Sequence, residues 1–135
     1  MKAFLINLEI AKDRLVSCKK EFKKIAIDYE VVKAIDGEKT PPTKKAISKY
    51  SYILKHGKKV NPREVACYSS HLKALKIFLD SSEEYGLICE DDIEFNENFS
   101  RILKECLRTY DKFDILRLAG SEDKSKEKGN PIKLF

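Results

Sequence analysis

The chain opens on an apolar run, Ala3 to Leu8, interrupted only by Asn7, and then changes rhythm. From Lys12 to Ile25 the apolar positions Leu15, Cys18, Phe22 and Ile25 recur every three or four residues, which predicts a helix with one buried face. Tyr29 to Ile35 is rich in β-branched residues and stops at the turn pair Asp36-Gly37, so it predicts a second strand. Two strands joined through a helix of this length normally lie parallel with a right-handed crossover. The expected class is therefore α/β, a mostly parallel, Rossmann-like sheet flanked by helices, with ligands gathering at the carboxyl ends of its strands.

Glu38 to Asn61 carries Thr40-Pro41-Pro42, two lysine pairs and only a weak apolar face through Ile47, Tyr50 and Ile53-Leu54, and reads as a partly helical connection. Pro62 suits the first turn of a helix, where its missing N–H costs nothing. That helix is expected to run to about Asp80. Val65, Tyr68, Leu72, Leu75 and Leu79 form its stripe, widened by Cys67, His71, Ala74 and Phe78, so it is expected to be well buried. Leu87 to Cys89, after Gly86, predicts a third strand. Phe99, Ile102, Leu103 and Cys106-Leu107 predict another helix, and Phe113 to Leu118 a further strand. Ser121 to Asn130 is almost wholly charged or small and polar, so residues 1–120 are expected to form the folded domain and 121–135 a flexible tail.

Composition adds limits to this picture. A content of 42% hydrophobic and 36% charged residues in 135 is that of one globular domain, with no apolar stretch long enough to span a membrane and no secretory leader, so a cytoplasmic location is expected. The net charge of +5 is compatible with phosphorylated small molecules or an anionic membrane surface. Its lysines are scattered among acids, and no RNA-binding aromatic signature, zinc finger or basic arm is present, so no nucleic-acid partner is expected. Cys18, Cys67, Cys89 and Cys106 show no Cys-x-x-Cys spacing, so neither zinc nor a disulfide framework is expected, and four reduced, mostly buried thiols are.

The candidate chemistry is concentrated where the third strand ends, in Glu90-Asp91-Asp92. Strand alternation would send Glu90 and Asp92 to one side and Asp91 to the other. Two carboxylates on one side suit a hard divalent ion such as Mg²⁺ or Mn²⁺, completed by water and substrate phosphates; the same acids would also serve as a solvated turn capping the next helix. Arg14 lies in the first turn of the first helix, beside the positive end of the helix dipole. Either an anionic ligand or a neighbouring acid, Glu9 or Asp13, would offset it. His71 falls on a face read as buried, where a lone histidine is first a hydrogen-bonded core residue. Cys67, four residues earlier, adds a metal-pair spacing that nothing else in the sequence supports.

Five stretches together resemble the family 25 glycosyltransferases, which include bacterial lipooligosaccharide galactosyltransferases. They are Ile6-Asn7-Leu8 with Lys12-Asp13-Arg14, Val32 to Gly37, Glu64 to Leu72, Ile88 to Ile93, and Phe113 to Leu118, in the family's order. The resemblance implies a GT-A-type fold and an inverting transfer of a hexose, galactose, from a UDP-sugar to a lipid-linked oligosaccharide acceptor, with Mn²⁺ or Mg²⁺ and peripheral contact at the inner membrane. It implies that Asn7, Leu8, Arg14, Asp36, His71, Glu90 and Asp91 bind the donor, with Asp92 and Glu90 on the ion. The catalytic base is not identified; Glu94 and Asp114 are candidates.

The chain departs from the pattern at Pro62-Arg63, where a small residue or glycine is usual, and at Ala66-Cys67, where the family has glycine-cysteine. A cation at Arg63 opposes the helix dipole, so it is expected to pair with an acid or touch donor phosphate. Similar enzymes run on for further residues that help to build the acceptor site. A homodimer or a downstream segment is therefore expected to complete that site, and a donor-binding or partner-binding domain without turnover is the alternative reading.

Overall fold

The computed structural model describes residues 1–40, 48–109 and 114–118. The chain divides into two compact units, Met1–Ser100 and Arg101–Phe135. In order, the elements are β1 (Lys2–Asn7), α1 (Lys12–Ile25), β2 (Tyr29–Lys33), α2 (Lys49–His56), α3 (Pro62–Leu79), β3 (Gly86–Glu90) and α4 (Phe99–Thr109). The three strands form one parallel sheet in the order β2-β1-β3, with Leu5 of β1 set between Val31 and Cys89.

The apolar run at the amino terminus is continuous because β1 is covered on both faces. Ala3 and Leu5 pack with Cys18, Phe22 and Ile25 of α1 and with Cys89, whereas Phe4 and Ile6 pack with Val32 and with Ala74 of α3. Phe22 stacks on Tyr29 with ring centroids 4.6 Å apart and meets the edge of Phe95 at 5.3 Å. All four cysteines are free; burial pushes the Cys18 thiol up and that of Cys89 to about 12, so both act as apolar filler.

Helix α3 lies where it is expected but buries a narrower face. Val65, Ala66, Ser70 and Ala74 are buried, while Tyr68, Leu72 and Leu79 of the expected stripe are exposed. The cause is size: Ala66, Ser70 and Ala74 recur every four residues and let the helix approach the sheet closely. Ser70 is only 1% exposed; its Oγ accepts from Ile35 N at 2.8 Å and donates to Ala66 O at 2.7 Å. The turn after β2 is tied to the same helix, since a Cβ on Gly37 would stand 2.5 Å from the Pro62 carbonyl oxygen.

The partly helical connection contains α2, opened by Ser48, whose Oγ accepts from Ser51 N at 3.3 Å, and closed by Gly57 at φ 64°. Residues 41–47 of that connection lie outside the described residues. In the second unit, α4 continues through an Arg101–Glu105 ion pair at 3.6 Å. The strand expected over Phe113 to Leu118 is not present in its described part: residues 114–118 are not in a strand and Ile115 is 81% exposed. An alternating apolar pattern gains a ladder only where another strand pairs with it, and among the described residues none does. Phe113 and the expected tail lie outside the described residues. Among the described residues no helix is long and apolar enough to cross a membrane.

The start of α3 carries a compact polar cluster. Glu64 accepts from Lys58 Nζ at 2.8 Å and from the Tyr52 hydroxyl, and these donors hold its carboxyl at about 2, far below the ordinary value of 4.5. A carboxylate with a depressed folded value contributes stability above its unfolded value and loses it as pH falls. The contribution of Glu64 is therefore full above pH 4.5 and disappears as pH falls through about 2. Carboxyl-detected NMR titration should give a midpoint near 2, raised more by Lys58→Met than by Tyr52→Phe, since the lysine is the larger cause; a midpoint at the ordinary 4.5 would contradict the cluster.

Candidate functional site

The end of β1 is a polar junction in an otherwise apolar core. Asn7 is 5% exposed, and its Nδ2 donates to Asp91 Oδ2 at 2.7 Å and to Ala11 O at 3.2 Å, while its main-chain carbonyl accepts from Ala34 N at 2.9 Å. Asp91, itself 8% exposed, uses its other oxygen to meet Arg14 NH1 at 2.9 Å. One asparagine and one aspartate thus join the ends of β1 and β3 to the first turn of α1. The partner of Arg14 is Asp91, not Glu9 or Asp13, and it offsets the cation at the positive end of the helix.

Two shallow grooves flank this junction. The first, about 380 Å³, is bordered by Leu8 and Asp36 with Lys33, Lys39 and Lys73. Asp36 is engaged in its own turn, accepting from Glu38 N at 3.0 Å and facing Lys39 Nζ at 3.8 Å. The second, about 490 Å³, is bordered by Arg14, Asp91, Asp92 and Glu94. β3 ends at Glu90, and Asp91 and Asp92 lie in a turn, so strand alternation does not reach Asp92. Asp91 and Asp92 share a groove, and Glu90 points elsewhere.

Glu90 faces α3. Its Oε1 lies 3.4 Å from His71 Nε2 and 4.0 Å from Cys67 Sγ. His71 is half-exposed rather than a core residue, and its Nδ1 lies 3.0 Å from the Cys67 carbonyl oxygen. The Cys67 thiol is pushed up, first by loss of solvent around its sulfur and then by the Glu90 carboxylate. Reading the sequence found the Cys67–His71 spacing; Glu90 as its third member depends on how α3 crosses β3, which no local pattern carries.

The sequence-predicted residues are thus divided among three places: Leu8 and Asp36 at the first groove; Asn7, Arg14, Asp91 and Asp92 at the junction and second groove; His71 and Glu90 on the α3 side. The candidate base Glu94 is exposed at the second groove, and Asp114 is exposed in the second unit. Arg63 pairs with Glu38, the acid-paired outcome of the two expected. Both Asp91 oxygens are engaged, whereas Glu90 and Asp92 are exposed, and Asp92 has no ion-pair partner among the described residues. A hard cation held by one carboxylate and completed by water and phosphate fits the exposed Asp92, and does not fit Asp91, both of whose oxygens are engaged, or Glu90, which faces His71 and Cys67.

Comparison with known proteins matches residues 1–133 to glycosyltransferase family 25 (LPS biosynthesis protein). Among curated relatives, the putative glycosyltransferase R655 of Acanthamoeba polyphaga mimivirus is 32% identical over 89% of this chain and 37% of its own length. Procollagen galactosyltransferase 2 of Mus musculus is 26% identical over 81% of this chain and 18% of its own length. Procollagen galactosyltransferase 1-A of Xenopus laevis is 29% identical over 78% of this chain and 18% of its own. The chain therefore spans between about a fifth and two fifths of the curated relatives it matches.

Removal of the Asp91 side chain takes a buried charged acceptor from Asn7 and Arg14 together. Asp91→Ala should lower unfolding stability by about 2–3 kcal/mol, because hydrogen bonds to charged groups are the stronger ones and their buried partners are left unmet. Arg14→Ala should lose about 1 kcal/mol or less, its side chain being 51% exposed. Denaturant midpoints of the two variants check this order; equal losses would mean that the Asn7 contact contributes nothing.

Proposed function

The chain belongs to glycosyltransferase family 25, and from that premise we propose that it forms the donor-binding part of an enzyme that transfers a hexose, galactose, with inversion from a UDP-sugar. The acceptor we propose is a lipid-linked oligosaccharide of the lipopolysaccharide type, met at the cytoplasmic face of the inner membrane. The observation that carries the reading is the placement of Asn7, Arg14, Asp91 and Asp92 together at the carboxyl end of a parallel sheet, where α/β folds bind nucleotides. It is also the placement a GT-A-type fold would require. The names of the vertebrate relatives support galactose as the sugar, and the family description supports the acceptor class.

The chain's own residues divide the work. Asp91 fixes Arg14 in place, and Arg14, half-exposed beside the second groove, offers its remaining N–H groups to an anionic donor in charge-assisted bonds. Asp92, with water and donor oxygens, would hold Mn²⁺ or Mg²⁺, which when bound neutralises charge on the departing diphosphate; Glu90, expected on the same ion, is turned to α3. Glu94, exposed at the same groove, is the nearer of the two candidate bases to these residues in sequence and would take the proton from the acceptor hydroxyl. Leu8, Asp36 and His71 would complete the donor contacts. Homodimerisation would bring the acceptor to the donor, and the net charge of +5 would favour an anionic membrane surface.

Calorimetry with UDP and Mn²⁺, beside a UDP-galactose transfer assay, tests the proposal. Asp92→Asn should weaken Mn²⁺-dependent UDP binding by about tenfold or more while leaving the denaturation midpoint unchanged, since the side chain is exposed. UDP binding that is indifferent to both Mn²⁺ and Asp92 would remove the ion's assigned place. Binding without transfer to any acceptor would assign this chain to donor binding alone.

A further inference from the structure

We propose that Cys67, His71 and Glu90 form a three-ligand site for a borderline divalent cation of the zinc class, separate in its chemistry from the hard ion that a sugar-nucleotide donor would need. The three ligand atoms, one sulfur, one imidazole nitrogen and one carboxylate oxygen, lie within 4.8 Å of one another. Sulfur and imidazole donors select zinc and its neighbours, whereas Mg²⁺ requires oxygen.

The distances suit such an ion. Zinc bonds of 2.0 to 2.3 Å in a tetrahedron imply ligand-to-ligand edges of roughly 3.3 Å for nitrogen to oxygen and roughly 3.6 Å for sulfur to oxygen. The corresponding separations here are 3.4 Å for His71 Nε2 to Glu90 Oε1 and 4.0 Å for Cys67 Sγ to Glu90 Oε1. The Cys67 sulfur lies 3.8 Å from the other ring nitrogen, Nδ1, so the thiolate would turn toward Nε2 to close the set.

A second feature points the same way. A metal-binding histidine characteristically gives its other ring N–H to a carbonyl or carboxylate, which fixes the tautomer and turns the free nitrogen to the ion. His71 has that arrangement: Nδ1 lies 3.0 Å from the Cys67 carbonyl oxygen, so Nδ1 donates and the Nε2 lone pair is left toward Glu90. Cys67 and His71 stand four apart on α3 and share a face, and Glu90 is the last residue of β3, so the site clips helix to strand. Cys67 and Glu90 are exposed, and an ion has open access. With three protein ligands the fourth position would be left to water or to a bound small molecule.

Cobalt titration of the full chain tests this without reference to turnover. Co²⁺ should bind one per chain and produce a thiolate-to-cobalt charge-transfer band in the near ultraviolet, persistent in excess Mg²⁺ and removed by stoichiometric Zn²⁺. Cys67→Ser should abolish the band and weaken Zn²⁺ binding by about tenfold or more, with His71→Gln and Glu90→Gln each weakening it to a similar degree. Cys106→Ser should leave band and affinity unchanged. Circular dichroism confirms folding of each variant. No band with Co²⁺, a band that survives Cys67→Ser, or displacement by Mg²⁺ would each overturn the assignment.

Discussion

Asn7 is the constraint on which the arrangement depends. Asn7 is 5% exposed at the end of a strand covered on both faces, so its polar groups must find protein partners. Asn7 meets this at the end of the central strand by bonding the start of α1, the continuation of β2 and the acid that follows β3. A leucine of similar size would fill the space but would leave Asp91 a buried carboxylate with Arg14 alone, at the edge of solvent. The junction therefore sets where α1 begins and where the turn after β3 must pass.

Three adjacent acids consequently have three different situations. Glu90 ends a strand and faces α3, Asp91 is spent on the junction, and Asp92 is exposed at the second groove. Their proximity in sequence suggests a single cluster, but the strand ends between the first and second of them, and the chain reorients there. Acids next to one another in sequence are neighbours in chemistry only when the backbone keeps one conformation through all of them.

Much of the fold was legible because its signals were local. The continuous apolar β1, the three- and four-residue rhythm of α1 and the Asp36-Gly37 turn each determine their element with little help from the rest of the chain. What was misread depended on contacts at a distance. The buried face of α3 is made by Ala66, Ser70 and Ala74, which carry a weak apolar signal, whereas the strongly apolar Tyr68, Leu72 and Leu79 stand outside. Phe113 to Leu118 alternates as a strand should, yet its described residues pair with no strand. At the site, Arg14 and the acids were visible as residue types, but the bond of Arg14 to Asp91 and the meeting of Glu90 with Cys67 and His71 follow from how helices cross strands.

Ser70 and His71 are adjacent on α3 and look in different directions, one bonded to Ile35 at the end of β2 and the other turned to the end of β3. The helix is thereby fixed in rotation about its own axis as well as in position. One residue inserted between Ser70 and His71 would turn His71 by about 100° relative to Ser70, so α3 could not keep both contacts. Length is therefore frozen in this helix, and variation in the number of residues must be absorbed by the connections that precede and follow it.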